Sequence, residues 1–525
     1  MHSIVLSGFM GVGKTTVGPL VAARLGVPFV DTDQEVEREA GAVIADLWRR
    51  EGEAAFRVRE AAVVESLLTD GVTKVIAFGG GTVTASHARR LATDRALVVT
   101  LTASPEAIVA RAQEIATRPL LGTGPSPLER VRDLLAQRAD AYAESHLTLA
   151  TDALSLAAVV DAVVGLAARD PLLVPLGSRS YPIDVCVGEP GRLAASIHRA
   201  APSSILVVTD SNVHRARGAA IDRSLTEFRG PLTRVTLPPG EGHKTLASVS
   251  TIWDAALAGA ADRDALVLAC GGGVVGDLAG FAAACLLRGV RCLQVPTTLL
   301  AMVDSSVGGK TGFDHPSGKN LIGAFHQPNA VVADLDHLTT LGVRQRASGL
   351  AEIVKIALAT DSDLFDAVER DAGALARGEP IALEPIVRAA IQAKIRIVRD
   401  DERETASRAL LNLGHTVGHA LEAHGGYARW LHGEAVSLGT VAELRATEKL
   451  GWTPPGLILR TEHLLSTLGL PARADRSELA AAWPFVAHDK KRQRGVLRVP
   501  VVTGPGRAHI ERVPLDTLRD AVLGP

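Results

Sequence analysis

The chain has 525 residues, 47% of them apolar and 22% charged, with a formal net charge of −2. That length exceeds one hydrophobic core and predicts two or three domains. The near-neutral balance argues against a nucleic-acid or anionic-membrane partner held by bulk charge, and no apolar run reaches the ~18–20 residues of a membrane span.

The chain enters a strand at Ile4, which leaves no room for a signal peptide. Its four cysteines, Cys186, Cys270, Cys285 and Cys292, stand at no metal or redox spacing, as expected for a reducing cytosol. Residues 1 to about 168 alternate short apolar runs (IVLS, PFVD, VIAFGGG, LVVTL) with helix-like stretches, the rhythm of a parallel sheet covered by helices.

Between the first strand and the first helix lies GFMGVGKTT, a complete Walker A pattern. The backbone N–H groups of Gly11, Val12, Gly13, Lys14, Thr15 and Thr16 are placed to cradle phosphate oxygens at a helix N-terminus. Lys14 is expected to reach the β and γ phosphates and the Thr15 hydroxyl to hold Mg2+. A glycine-rich turn without a ligand is the alternative. The pattern alone does not separate a small-molecule kinase from a GTPase or an ATPase.

PFVDTDQEVE then sets Asp31 and Asp33 at the end of the second strand, where ligands sit in such sheets. Read as alternate residues of an extended segment, both carboxylates face the site, one toward Mg2+ and one toward a substrate hydroxyl. Capping or turn aspartates are the plainer reading. GEAAFRVRE supplies Arg57, AFGGGTV supplies Gly79, Gly80 and Gly81, and RADAY supplies Arg138. RPLLGTGPSPLE (118–129) opens with Arg118 and has the composition of a mobile lid. Arginines clamp an acidic acceptor and offset charge on the moving phosphoryl group, although each alone reads as a solvated helix residue.

In this order, GFMGVGKTT, DTD, GEAAFR, GGG, RPLL and RADAY resemble shikimate kinase over essentially all of residues 1–165. The resemblance implies a P-loop kinase of three-layer α/β fold spanning 1–168. It implies shikimate binding by Asp33, Arg57, Gly79, Gly80, Gly81 and Arg138. It assigns Arg118 to the lid over ATP and Asp31 with Thr15 to Mg2+. Lys14, Asp33 and Arg118 are then the catalytic groups. Another small-molecule kinase, acting on gluconate or a nucleotide, is the rival.

After a linker at 169–175, within GLAARDPLLVP, the pattern restarts with strands (YPIDVCVG, SILVVTD, ALVLACGGG, VRCLQVPTT, AVVADL) over 176–344. CGGGVVGD follows a strand and satisfies the dinucleotide fingerprint through Gly271, Gly273 and Gly276. The acidic residue the fingerprint needs further on is missing; Asp277 and Asp210 are the candidate ribose partners, and a tight turn is the alternative. PGEGHK (239–244) is a second polar turn. VPTTLLAMVDSSVGGKTGFDHPSGKN sets Lys310, Lys319 and Asn320 among glycines, where the backbone can approach a phosphate. From about 345 the chain reads as helical until VLRVPVVT (496–503).

This half also holds GLAEIVK, QAKIRIV, SRALLNLGHTVGHALE, LHGEAV and HDKK. His415 and His419 are four apart and share a helix face, so spacing alone makes both zinc ligands or a pair of core histidines. Only ten basic residues are lysine against 46 arginines, and all of the ten but Lys74 and Lys449 fall within these motifs. The pattern is that of lysine kept where a compact ammonium is needed.

Residues 172–525 resemble 3-dehydroquinate synthase nearly throughout. The resemblance replaces the spacing reading of the metal: it implies Glu352, His415 and His432 as zinc (or cobalt) ligands and places His419 near the substrate phosphate. It implies an α/β NAD-binding part followed by an all-helical metal and substrate part at 345–525. NAD contacts carry over to Pro239, Gly240, Glu241, Gly242, His243 and Lys244, and to Gly273, Val274, Val275, Gly276 and Asp277. They continue with Thr297, Thr298, Lys310 and Lys319, and with His337, Leu338, Thr339 and Thr340. Substrate contacts carry over to Arg288, Lys310, Lys319, Asn320, Lys355, Lys394, Arg408, Asn412, His419 and one of Lys490 and Lys491. Of these, Lys310, Lys355, Lys394, Arg408, Asn412 and His419 are the expected catalytic groups. Together the two resemblances imply a bifunctional enzyme of the chorismate pathway with small-molecule substrates, dimeric through the second half. Another sugar-phosphate cyclase and a metal-dependent alcohol dehydrogenase are the rivals there.

Overall fold

The computed structural model describes residues 2–112, 126–486 and 496–524. The chain divides into two compact units, Met1–Ile183 and Asp184–Pro525. The division lies beyond the segment 169–175 expected to link the domains. That segment holds the end of helix Leu156–Arg169 and the short strand Leu172–Val174. Arg118 with most of the expected lid, and Lys490 with Lys491, lie outside the described residues.

The first unit is built on five strands: β1 (Ser3–Ser7), β2 (Phe29–Asp31), β3 (Val75–Ala77), β4 (Ala96–Thr102) and β5 (Leu147–Ala150). All are parallel, in the order β2-β3-β1-β4-β5. Continuous apolar runs such as Ile4–Val5–Leu6 and Val98–Val99 are buried because helices cover the sheet. The chain reverses direction across the sheet at β1, between β3 and β4, which opens a crevice at the C-terminal strand ends.

One buried titratable group sets an acid limit for this unit. His146 accepts a hydrogen bond from Val98 N at Nδ1, 2.9 Å away. Burial lowers its pKa from 6.5 to about 4. The unfolded chain therefore binds this proton first as pH falls, and stability drops between pH 6.5 and 4. The expected loss is about 2 kcal/mol by pH 5. Calorimetry of the intact chain at pH 7 and pH 5 checks this: one transition moves down with acid, and moves less in His146→Gln.

The second unit carries β8 (Ile205–Asp210), β9 (Leu232–Leu237), β10 (Leu266–Gly271), β11 (Arg291–Pro296) and β14 (Ala330–Asp334). They pair in parallel in the order β14-β11-β10-β8-β9. The antiparallel pair β6 (Leu172–Val174) and β7 (Tyr181–Cys186) falls at the division between the units. The glycine- and lysine-bearing stretch, to which the sequence reading assigned no element, is an antiparallel hairpin, β12 (Lys310–His315) with β13 (Gly318–Phe325). The helical part ends in a second hairpin, β15 (Val496–Gly504) with β16 (Arg507–Pro514). Val499, Leu497 and Val513 from that hairpin pack with Val417, Leu421, Leu438 and Ala442 from the helices. No helix among the described residues is long and apolar enough to cross a membrane.

Candidate active sites

Three adjacent strands of the first unit deliver its site. The Walker loop leaves β1, and Gly13, at φ 98, starts helix Lys14–Leu25 without a side-chain cap. A Cβ on Gly13 would meet nothing within 4 Å, so the uncapped N–H groups face open space. Lys14 Nζ folds back onto the carbonyls of Gly8 (2.8 Å) and Phe9 (2.9 Å). A cavity of about 420 Å³ is lined by Gly11, Val12, Gly13, Lys14, Thr15, Thr16, Asp31, Asp33, Gly79 and Gly80.

Both aspartates line that cavity, but not as neighbours on an extended segment. β2 ends at Asp31, and Thr32 begins helix Thr32–Ala40. Asp31 is the helix cap, accepting from Asp33 N (2.9 Å) and Gln34 N (3.4 Å). Asp33 sits in the first helical turn. Asx capping outcompetes strand continuation here because it satisfies two otherwise open N–H groups.

The three glycines after β3 are approached closely from three directions. A Cβ on Gly79 would lie 2.4 Å from Asp33 Oδ1, on Gly80 3.1 Å from Met10 N, and on Gly81 2.6 Å from Arg57 Nη2. Arg57 is paired with Glu60 (2.7 Å), whose other oxygen accepts from Thr82 (2.6 Å). Arg138 and Tyr142 both donate to Gly80 O, at 2.9 and 2.5 Å.

Sequence reasoning missed Thr32, whose buried hydroxyl donates to Ala77 O and accepts from Gly79 N. It also missed Glu60, and Arg111, which lines the cavity and donates to Gly11 O at 3.3 Å. Thr32 carried a signal: it is the middle residue of DTD.

In the second unit the stretches expected to hold the dinucleotide follow C-terminal strand ends, except Lys310 and Lys319, which lie in hairpin β12–β13. Asp210 ends β8 and caps helix Ser211–Ser224 through Asn212 N and Val213 N. Pro239 to His243, with Gly240, Glu241 and Gly242, form the turn after β9. Thr297 and Thr298 follow β11, and His337, Leu338, Thr339 and Thr340 lie in the turn after β14. After β10, helix Gly273–Cys285 starts at Gly272 with no side-chain cap. Its first turn, Gly273, Val274 and Val275, leaves N–H groups for an anion, whereas Gly276 N already donates to Gly272 O at 3.0 Å. Asp277 faces Lys244 at 2.6 Å, and the same ammonium donates to Asn320 at 2.5 Å.

Three helices converge behind this sheet edge. Val343–Thr360 brings Glu352, His415–His424 brings His415 and His419, and His432–Lys449 brings His432. His432 Nε2 lies 3.3 Å and His415 Nε2 3.8 Å from Glu352 Oε1. Glu352 is fully buried, and neither of its oxygens has a hydrogen-bond partner of good geometry among the described residues, although the Lys355 ammonium contacts it. Burial opposes a charge on His432, yet Glu352 and Glu422 raise its pKa to about 10. The pocket thus favours a positive charge. Two imidazoles and a carboxylate with further positions open suit a divalent metal. His419 groups instead with Glu422 and His432, its ring 5.1 Å from that of His415.

The helix crossings that set this geometry are glycine contacts. A Cβ on Gly433 would lie 1.9 Å from Ser348 O, and one on Gly439 2.0 Å from Gly414 O. Glu443, fully buried, accepts from Gly414 N, Thr416 N and Val417 N and so holds the start of the His415 helix. Gly433→Ala is expected to push two ligand-bearing helices apart and to lower synthase turnover about 100-fold, since misplacement by ~1 Å costs that much. Parallel assays of both activities check this; kinase turnover stays unchanged.

Among the described residues, each lysine expected in the site of the second unit is held by a carboxylate that sequence reasoning did not name for that role. Lys310 pairs with Glu404, which also accepts from Asn412 at 2.6 Å. Lys394 pairs with Asp304 at 2.5 Å, and Lys319 with Glu422 at 3.2 Å. Burial works against the Asp304 charge, but Lys394 and Lys355 hold its carboxyl well below the usual range. Burial lowers Lys394 to about 8. Arg408 is buried and donates to Gly308 O and Glu402 O. Arg288 stands apart, exposed, in left-handed backbone at φ 71.

Comparison with known proteins settles the family. The shikimate kinase family model matches residues 10–167. The N-terminal and C-terminal models of 3-dehydroquinate synthase match 234–348 and 349–492. A 3-dehydroquinate synthase from Halorhodospira halophila is 45% identical over 354 residues, 66% of this chain and 99% of that protein. The chain belongs to the 3-dehydroquinate synthase family, with a shikimate kinase domain fused ahead of it.

It is a bifunctional kinase and lyase, and both domains are those of chorismate-pathway enzymes. Among solved structures, a 2-deoxy-scyllo-inosose synthase complexed with carbaglucose-6-phosphate, NAD+ and Co2+ is 25% identical, with TM-score 0.62 over 67% of this chain and 99% of that one. A 2-epi-5-epi-valiolone synthase from Streptomyces hygroscopicus, with NAD+ and Zn2+ bound, is 28% identical, with TM-score 0.59 over 65% and 96%. The fold is thus shared with these other synthases, while the 45% match, covering 99% of that protein, is to a 3-dehydroquinate synthase.

Proposed function

We propose that residues 1–168 transfer the γ-phosphoryl group of ATP to the 3-hydroxyl of shikimate. Residues 176–525 separately convert 3-deoxy-D-arabino-heptulosonate 7-phosphate to 3-dehydroquinate and phosphate, with 176–344 holding NAD+ and 345–525 the metal and substrate. The observation that carries the second assignment is the convergence of Glu352, His415 and His432 beside the buried, pre-paired ammonium groups of Lys355 and Lys394.

In the kinase site, the Walker backbone and Lys14 hold the phosphate chain, and Thr15 with Asp31 would hold Mg2+. Asp33 takes the acceptor hydroxyl, while Arg57, Arg138 and the Gly79–Gly81 backbone fix the shikimate carboxylate and ring. In the synthase, Glu352, His415 and His432 would hold zinc or cobalt, and the Gly273 helix start would hold the NAD+ pyrophosphate. When bound, NAD+ supplies a reversible hydride acceptor and the metal an electrophile for the alcohol being oxidised. Lys310, Lys355, Lys394, Arg408 and Asn412 orient a substrate that carries carboxylate and phosphate. Their preset ion pairs mean that little reorganisation accompanies binding. His419 carries a proton beside the departing phosphate. Assembly as a homodimer, with the exposed Arg288 reaching a neighbouring site, and a cytosolic location belong to the same reading.

The test is a pair of assays on the intact chain. Shikimate-dependent ADP formation is expected, together with phosphate release from the heptulosonate without net build-up of reduced cofactor. Sustained NADH accumulation would instead mark a dehydrogenase.

A further inference from the structure

Helix His415–His424 presents His415, His419 and Glu422 at positions one, five and eight, a single face. The two histidines belong to the site already described. Glu422 does not, yet it is only 3% exposed. A carboxylate buried this deeply needs partners, and Glu422 divides its two oxygens between them. Oε2 lies 3.3 Å from His432 Nδ1, and Oε1 lies 3.2 Å from Lys319 Nζ. Lys319 belongs to the β12–β13 hairpin, where it also meets Glu241 at 3.3 Å and the face of Tyr427 at 4.5 Å.

The second nitrogen of His432 settles what Glu422 does. Nε2 faces Glu352 Oε1 at 3.3 Å, on the side where His415 Nε2 also points. His415 has its own Nδ1 tied to Leu413 O at 3.1 Å. Both imidazoles therefore have Nδ1 engaged and Nε2 directed to the same spot. A carboxylate accepting from Nδ1–H fixes the tautomer, locks the ring plane and makes Nε2 a better ligand.

We infer that Glu422 is the positioning residue for His432, holding its ring for metal binding through Nδ1 and tying that ligand to Lys319 of the hairpin. This rests on Glu352, His415 and His432 being the metal ligands. The metal ligand and the hairpin lysine thus share one carboxylate, each meeting a different oxygen.

The test uses the metal-free full chain and cobalt(II) chloride, with no substrate. Wild type binds one Co2+ with a visible d–d absorption band. Glu422→Ala is expected to weaken Co2+ binding 10- to 100-fold and to alter the band. Glu422→Gln, which keeps the shape and one acceptor oxygen, falls between the two. Lys319→Met leaves Co2+ affinity unchanged, since Glu422 still holds His432. Kinase activity and far-ultraviolet circular dichroism report folding, and Glu422→Gln carries the test if the alanine variant does not fold. Wild-type affinity and spectrum in both Glu422 variants would overturn the inference. So would a loss in Lys319→Met equal to that in Glu422→Ala, because Glu422 would then serve only as a counter-ion for the lysine. A wild-type chain that binds no Co2+, or a Glu352→Gln chain that binds it equally well, would instead overturn the metal-site reading itself.

Discussion

Glu352→Gln is expected to lower synthase turnover by roughly a thousand-fold or more, about 4 kcal/mol of transition-state stabilisation, while kinase turnover stays unchanged. The side chain is fully buried, with two histidine Nε2 atoms within 4 Å of one oxygen. Removing its charge acts twice. A neutral amide holds a divalent cation far less well than a carboxylate. The change also strips the counter-ion from Lys355, an ammonium that is 1% exposed. Breaking one side of a buried ion pair costs ~3–5 kcal/mol, so this variant is also destabilised. Metal content by elemental analysis, phosphate release and thermal unfolding distinguish the two effects. Retention of a full metal equivalent and of activity would show that Glu352 has another role.

The second large effect belongs to the kinase half. Asp33→Asn is expected to reduce shikimate phosphorylation by roughly a thousand-fold, about 4 kcal/mol, with ATP affinity retained. Asp33 lines the cavity beside Gly79, where no side chain has room. On the proposed reading it serves the acceptor hydroxyl rather than the phosphate chain. Asp31→Asn behaves differently. Asp31 accepts from Asp33 N and Gln34 N, a cap that asparagine can still supply. Its loss is expected to fall on Mg2+ dependence and to be relieved by raising Mg2+. Initial rates over a grid of shikimate, ATP and Mg2+ concentrations separate the two. Equal defects in both variants, each cured by Mg2+, would put both carboxylates on the metal.

The contrast between these two aspartates shows how far local sequence could be read. DTD identified the pair, but alternation along a strand was the wrong geometry for it. β2 stops at Asp31 because the Asp31 side chain offers the next N–H groups a better partner than strand pairing does. Hairpin β12–β13 was hidden for a related reason. Glycines 312 and 323 face each other across it so closely that a Cβ on either would lie within 2.3 Å of the partner strand's carbonyl. A stretch so rich in glycine announces no element when its pairing partner is not yet known.

The sequence by itself determined the elements whose physics is local. A strand, a glycine loop and a helix start make an anion cradle wherever they occur, so both phosphate loops were visible without coordinates. So was the histidine pair at helical spacing, and among the described residues the sparing use of lysine marked positions that proved to be buried or paired. Only the tertiary structure decided how those charges are balanced. Asp304 meets Lys394 across 90 residues, Glu404 meets Lys310 across 94, and Glu422 meets Lys319 across 103. A buried charge requires a partner, but that partner is chosen by proximity in space, and nothing in the local pattern around DDERE or GHALE announces it. The same holds for the proposed metal ligands. Glu352, His415 and His432 sit on three helices whose spacing is set by Gly433 against Ser348 and Gly439 against Gly414, contacts that exist only once the helices have packed.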